Sequence, residues 1–477
     1  MMLRGIFCFV LSLFLLNASA QTAEVRTYGG FQADEGREIL ETPTGYLIVG
    51  TTASPENGNN DIYVVHILED LTVDWSTTLG GAGADQGRSA VMTNEGDFLI
   101  LGQTSLGENG GYDIVVYKID ASGNQLWEKQ FGTDDWDFAT RIEKGVNNYY
   151  IAGTTYGEAP GNSRMLLFRI TANGDIIDEN TYDILPEAEA NDLVWYEDHL
   201  YLIGTRTFEG GTPQGVLRKL TPSGAVVWTD VRDSVAFQGL SLDISEQGLA
   251  ACYAMADEAS DGNEYWNIMM IKQDLDGVEE WFEFSDVSEP GNQLPTAVTW
   301  SGAVMLQAAY TDIFGNGGDG CYINRIWFNG AWLSSTVFGL EGDEQPYDIM
   351  EDSEERILIL GVTDSYGSGD EDVYLIRLPD EEIVFNYDID YVELTEDETL
   401  VGVEEYGSTF GIPYPNPTVG QLKIPGSYDQ WVLYNLLGQE VMRGKQKETD
   451  LSNLERGVYT LKRSANGRQI VDHIILR

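Results

Sequence analysis

Cysteine and histidine are almost missing from this chain of 477 residues: it has Cys8, Cys252 and Cys321, and His66, His199 and His473. Two thiols beyond the leader leave a fold that is not stapled by disulfides, even in a compartment that would permit them. They read as two buried free thiols. Three histidines offer little for an imidazole metal centre or a His-based acid–base site. Positive charge is equally scarce, with 27 Lys/Arg against 78 Asp/Glu and a net charge of −51. Phosphate binding is driven by Lys and Arg, so this balance argues against nucleic acid and anionic membranes as partners. It fits a solvated exterior in salty surroundings, where a Debye length of about 8 Å or less screens self-repulsion.

Long apolar runs are also lacking. The one candidate, Ile6 to Leu16, falls short of the roughly 20 residues of a membrane span. It follows a single Arg and leads to Ala18-Ser19-Ala20, the pattern of a secretory signal over residues 1–20 cleaved before Gln21. Cys8 lies inside that run, too early to be the lipid-bearing first residue of a lipoprotein. No transmembrane segment is expected after signal cleavage. G-x-S-x-G, H-E-x-x-H, Walker and CxxC motifs are absent as well.

What the sequence has is repetition. The segment "GDFLILGQTSLGENGGYDIVVYKIDASGNQLWEKQFG", ending at Gly132, recurs along most of the chain, as in "GYLIVGTTASPENGNNDIYVVHILEDLTVDWSTTLG" before it and "ILILGVTDSYGSGDEDVYLIRL" near the end. Trp75, Trp127, Asp178, Trp228, Trp281 and Ser334 are equivalent positions, and their spacing near 50 excludes the shorter helical solenoids. Within a unit the pattern alternates: Arg88 to Met92, Phe98 to Thr104, Asp113 to Ile119 and Gln125 to Phe131 read as four antiparallel strands. Gly and Asn occupy the turns, where hairpins need positive φ. Second strands start at Tyr46, Phe98, Tyr149, Tyr201, Leu249, Val304 and Ile357, so the spacing predicts an all-β, seven-bladed β-propeller over residues 21–388. Units five and six lack the Gly-Thr that follows the second strand elsewhere, which drift in a tolerant fold explains. "VRTYGG" at Val25 resembles a fourth strand without its unit and is expected to pair into the last blade and close the ring. "EIVFNYD" near Phe385 is a second candidate for that place.

Residues 389–409 read as an acidic linker, with an edge strand at Asp390 to Leu394. Beyond it the charge changes sign: residues 410–477 carry nine Lys/Arg against six Asp/Glu, whereas residues 21–409 carry 17 against 72. Short strand signals in this tail predict a small antiparallel β-sandwich. The tail resembles the type A C-terminal sorting domains of the type IX secretion system of Bacteroidetes-type bacteria. The resemblance is carried by Tyr414, Pro415, Asn416, Pro417 and Gly420, by "YNLLGQEV" with Gly438, by "TDLSNLERGVYTLK" with Gly457 and Tyr459, and by the closing "HIILR". It implies recognition by the secretion machinery at the outer membrane, and a protein secreted to the cell surface or the extracellular space. A generic immunoglobulin-like module is the alternative reading of the tail.

Candidate ligand-binding residues lie where first strands enter the central channel. Asp34, Asp85 and Asp137 share one repeat position and Arg37 and Arg88 another, with Arg141 one residue out of register. Either Asp–Arg pairs tie adjacent blades together, or a ring of charge at the channel mouth grips a polar ligand such as a sugar. Loops such as "SPENGNND" and "DSYGSGDED" carry hard oxygen ligands suited to Ca²⁺, yet none matches a D-x-[DN]-x-[DN]-G loop, and turn chemistry explains them; no metal site or other cofactor is assigned. The repeat tryptophans resemble those of quinone-dependent dehydrogenase propellers, but that family's adjacent cysteine pair is missing, and core packing accounts for them. With 78 Asp/Glu, no catalytic carboxylate pair can be picked out. The expected function is a surface binding or adhesion module for a glycan or protein ligand; a polysaccharide hydrolase or lyase and a structural surface-layer protein are the alternatives.

Overall fold

The computed structural model describes residues 23–476, apart from 31, 54–58, 108–109, 157–161, 184–186, 259–263, 286–290, 314–317, 340–341, 366, 368–370, 379–389, 393–397, 401–420, 425–429, 435–439, 455 and 466–467. Two compact units divide at Gly402.

The first unit is a propeller of seven four-stranded antiparallel sheets. Each blade runs outward in chain order. Its innermost strands are Asp34–Thr42, Asp85–Met92, Asp137–Lys144, Glu187–Tyr196, Phe237–Ser245, Gln293–Ser301 and Glu344–Glu351. Second and third strands are buried on both faces, which is why they read as continuous runs such as "FLILG" and "DIVVY". In Phe98–Thr104, Phe98 and Ile100 face blade 1 while Leu99 and Leu101 face blade 3. One such hydrophobic cluster fills every blade-to-blade interface, seven in all. Fourth strands of blades one to five bury little, as in Ile176–Tyr182 and Val226–Arg232, whereas Trp332–Phe338 of blade six is largely buried. Blades five and six are complete sheets despite the missing Gly-Thr. Blade six crosses its core with a polar ladder, Asn324 donating to Gln307 Oε1 at 2.8 Å and Ser335 donating to Asn324 Oδ1 at 2.6 Å.

The N-terminal strand Glu24–Gly29 closes the ring as the fourth strand of blade seven, antiparallel to Asp372–Leu378, with Val25 opposite Ile376. The rival segment near Phe385 lies outside the described residues. Val25 and Tyr28 are fully buried, and the Tyr28 hydroxyl donates to the Leu71 carbonyl of blade one at 2.9 Å. Two strands of the acidic segment add to outer edges in parallel: Asp390–Val392 along blade six, and Glu398–Leu400 along the closing strand itself. The glycine after the outermost strand of blade one shows why "TYGG" marks a fourth strand. Gly80 has φ +145°, and a Cβ there would come within 2.8 Å of carboxylate oxygens of both Asp61 and Asp85.

The repeat position of the outer-strand tryptophans pairs with a basic residue on the third strand in every blade. His66, Lys118, Arg169, Lys219, Lys272 and Arg325 stand opposite Trp75, Trp127, Asp178, Trp228, Trp281 and Ser334. Arg377 stands opposite Glu24 in the seventh. Most of these cations meet a carboxylate, as in Lys118 with Asp97 at 2.9 Å and Lys272 with Glu280 at 2.6 Å. Cys252 and Cys321 are buried free thiols.

The second unit pairs a four-stranded sheet, built on Gln430–Tyr434 and Gly457–Ala465, with a short ladder of Gln421–Lys423 on Glu448–Asp450. Leu422, Trp431, Leu451 and Tyr459 pack together between them. Tyr414, Pro415, Asn416, Pro417, Gly420 and Gly438 lie outside the described residues, and Gly457 opens a core strand.

Burial of Val25 and Tyr28 contributes roughly 3–6 kcal/mol at about 1.5–3 kcal/mol per large apolar side chain. A domain holds only about 5–15 kcal/mol in total. Deleting residues 21–30 is therefore expected to shift the whole propeller to one cooperative transition at lower temperature, read by circular dichroism. A separate early transition with the main one unmoved would count against closure by this strand.

Candidate functional site

All seven innermost strands break register at one place, where a single residue bulges out of the ladder with its second strand. The skipped residues are Arg37, Arg88, Thr140, Asn191, Leu240, Thr296 and Tyr347. A bulge re-aims its side chain, and here all seven face the central channel. The channel encloses about 500 Å³. Its mouth, about 270 Å³, is lined by Arg37, Arg88, Thr140, Asn191 and Tyr347 with two alanines.

The residue after the bulge turns towards the next blade and supplies an acceptor for a main-chain N–H. Glu38 accepts from Ala90 at 2.8 Å, Ser89 from Ile142 at 3.1 Å, Asp192 from Leu242 at 3.0 Å, Ser241 from Val298 at 3.3 Å and Asp348 from Ile39 at 3.0 Å. Asp243 adds a further tie, accepting from Trp300 at 2.7 Å. Arg141 holds this position in blade three, which explains its offset from Arg37 and Arg88. It reaches into the channel waist towards Glu38 at 3.3 Å, Glu143 at 3.5 Å and Asp192 at 3.8 Å.

Burial dominates the electrostatics of the waist. It raises Glu38 and Glu143 to about 7 against the pull of Arg141, and it raises Asp243 and Asp348 as well. At the mouth, burial and the neighbouring Arg37 lower Arg88 to about 10. Arg37 is tethered to Glu35 by Nε at 3.1 Å and Nη2 at 2.5 Å, and its guanidinium lies 3.9 Å from the centre of the Tyr347 ring. Arg88 donates to the Gln86 amide oxygen at 3.1 Å, and its buried Nε has no partner.

The arginines and aspartates read together from the sequence are separated by the structure. Arg37 and Arg88 share the mouth. Asp34, Asp85 and Asp137 are buried at the strand starts, where each accepts the N–H of the residue four before it: Gly30, Gly81 and Thr133 at 2.7, 2.8 and 2.6 Å. Those carboxylates hold the connectors between blades, and burial raises Asp34. Neither arginine forms the expected pair with them, because each bonds within its own strand. Thr140, Asn191 and Tyr347 were not singled out by the sequence, since the bulge position varies too much to show as a motif. Where blades two and three meet lies an aromatic cluster: Trp136, half exposed, meets Tyr112 and Phe138 at 5.9 Å each, and Phe138 meets Tyr156 at 5.9 Å. The Gly/Asn/Asp-rich loops lie partly outside the described residues. Among the described residues, no three His, Cys, Asp or Glu groups are placed to hold a metal ion, and no helix is long and apolar enough to cross a membrane.

Glu38 and Glu143 are raised above their unfolded value of 4.5, so between pH 4.5 and 7 the folded chain keeps protons that the unfolded chain has lost. Stability is thus greatest on the acid side and declines as pH rises through that window, by about 1–3 kcal/mol for each group. Thermal melts from pH 5 to 8 are expected to show this decline, and a Glu38→Gln/Glu143→Gln double variant to flatten most of it. An unchanged slope in the variant would refute the assignment.

Comparison with known proteins bears on the tail. Residues 413–477 match the family described as secretion system C-terminal sorting domain. None of the curated proteins matches the chain significantly in sequence. Among solved structures, a protein of unknown function from Bacteroides caccae is 12% identical over 63% of this chain and 93% of its own, at a TM-score of 0.34. The β-propeller domain of the Trilobed protease from Pyrococcus furiosus is 10% identical over 75% and 97%, at 0.44. Pyrococcus horikoshii acylaminoacyl peptidase is 12% identical over 84% of this chain, which spans 58% of the peptidase, at 0.41. At such scores these likenesses carry no argument about function, and the propeller rests on the blades described above. The chain is a β-propeller protein with a type IX secretion C-terminal sorting domain, secreted through the outer membrane to the cell surface or the extracellular space.

Proposed function

We propose that the propeller is a binding or adhesion module that takes a polar ligand, such as a glycan, at the mouth of its channel. The supporting observation is a division of labour among the polar groups. Carboxylates at the waist are consumed by the fold: Glu38, Asp192, Asp243 and Asp348 each accept a main-chain N–H from the next blade. At the mouth, Arg88 makes one side-chain hydrogen bond, to Gln86, and no ion pair with any described carboxylate. Unspent donors converging on a cavity are what a polar ligand needs. The sorting domain delivers the module to the exterior.

A second reading, a polysaccharide hydrolase or lyase, draws on one specific observation. Glu38 and Glu143, raised to about 7 beside Arg141, have the protonation range of a general acid. Their commitment to blade ties and to Arg141 weighs against that role.

A glycan array probed with the purified mature protein, with and without Ca²⁺, separates the two when each hit is followed by mass spectrometry. Binding without cleavage is expected. Turnover abolished by Glu38→Gln or Glu143→Gln would replace the binding reading with the enzymatic one.

A further inference from the structure

We infer that the mouth selects an acidic glycan, its carboxylate or sulfate held by Arg88 with Arg37 and its sugar ring lying against the aromatic wall where blades two and three meet. This rests on the binding reading above and narrows it to one chemical class.

Three cations reach the channel, and two of them are neutralised by the protein. Arg141 sits among Glu38, Glu143 and Asp192, and Arg37 holds Glu35. Among the described residues no carboxylate pairs with Arg88, although the body of the chain carries 72 of them. Glu35, already held by Arg37, offsets only part of the cost of taking this guanidinium out of water, and burial together with Arg37 still depresses the pKa of Arg88. An incoming anion supplies the missing partner, and the planar guanidinium matches the two oxygens of a carboxylate or sulfate. Arg37 beside it is pre-oriented by Tyr347 and bonds Glu35 through Nε and Nη2, so Nη1 can join the same anion.

The sugar ring is inferred from the neighbouring surface. Phe138 occupies in blade three the register position that Gln86, the anchor of Arg88, occupies in blade two. The wall of Phe138, Tyr112 and Trp136 thus begins one strand away from the unpaired arginine. Aromatic faces accept the apolar C–H face of a pyranose while its hydroxyls stay wet, and half-exposed Trp136 is available for this. The mouth volume of about 270 Å³ lies just below the roughly 300–1,000 Å³ of drug-sized pockets, so it suits one terminal acidic residue.

The test is calorimetric titration of the full mature protein, at fixed ionic strength, with three oligosaccharides of equal length: an oligogalacturonate, a sulfated galactan fragment and a neutral galactan fragment. At least one acidic oligosaccharide is expected to bind tenfold or more tighter than the neutral one, and which of them does so identifies the anion. Arg88→Gln is expected to lose at least tenfold in that affinity while its melting temperature stays at or above that of the parent, an outcome that a structural arginine would not give. Trp136→Ala should weaken acidic and neutral ligands alike. Equal affinity for acidic and neutral fragments, or an Arg88→Gln variant that binds as before, would overturn the acidic-glycan inference and leave the binding reading standing. Inorganic sulfate competing as well as the oligosaccharide would reduce the site to a simple anion site and also overturn it. Silence from all three fragments with the parent protein would remove both.

Discussion

A strand at the centre of a propeller has a sheet on one side only, and its inner edge would leave main-chain N–H groups without a strand to meet. The solution here is a carboxylate or hydroxyl reaching across from the preceding blade, at Glu38, Ser89, Asp192, Ser241 and Asp348. Leaving such a donor unpaired costs about 1–3 kcal/mol. The bulge just before each of these residues rotates it towards its neighbour, and the same bulge throws the preceding side chain into the channel. The tie that builds the ring and the residue that lines the mouth are therefore two products of one local distortion.

This coupling frees the mouth to vary. Backbone geometry at the bulge is the same whether it carries Arg, Thr, Asn, Leu or Tyr. The ring can thus present different chemistry without changing its architecture, as functional sites grafted on a common fold do. The channel waist is the opposite case. It is crowded with carboxylates that hold the blades, and one arginine spreads its charge among several of them.

The blades were legible because their second and third strands are buried on both faces, so apolar runs with Gly at the end recur every fifty residues or so. The closing strand was legible for a chemical reason: Gly29 and Gly80 each lie between two carboxylates that leave no room for a Cβ, and "TYGG" repeats what "TLGG" shows. The bulge was hidden, since a register skip has no fixed residue type, and the offset of Arg141 was its one visible trace. The aspartates were visible but their role was not. A carboxylate that takes an N–H four residues back looks, in sequence, like any acid near an arginine. The basic residue of every third strand was in plain view in "VVHIL", "VVYKI" and "YLIRL". Its role was not legible, because the residue it stands opposite varies among Trp, Asp, Ser and Glu.

Arg37 belongs to the first blade and Tyr347 to the last, and their contact exists only across the seam that the N-terminal strand completes. More than three hundred residues separate the two partners, so loop closure makes this one of the later contacts to form. Assembly of the channel mouth is thereby tied to completion of the chain. A chain without its last blade would keep both arginines yet could not complete the mouth. Closure of the ring and completion of the channel mouth are one event.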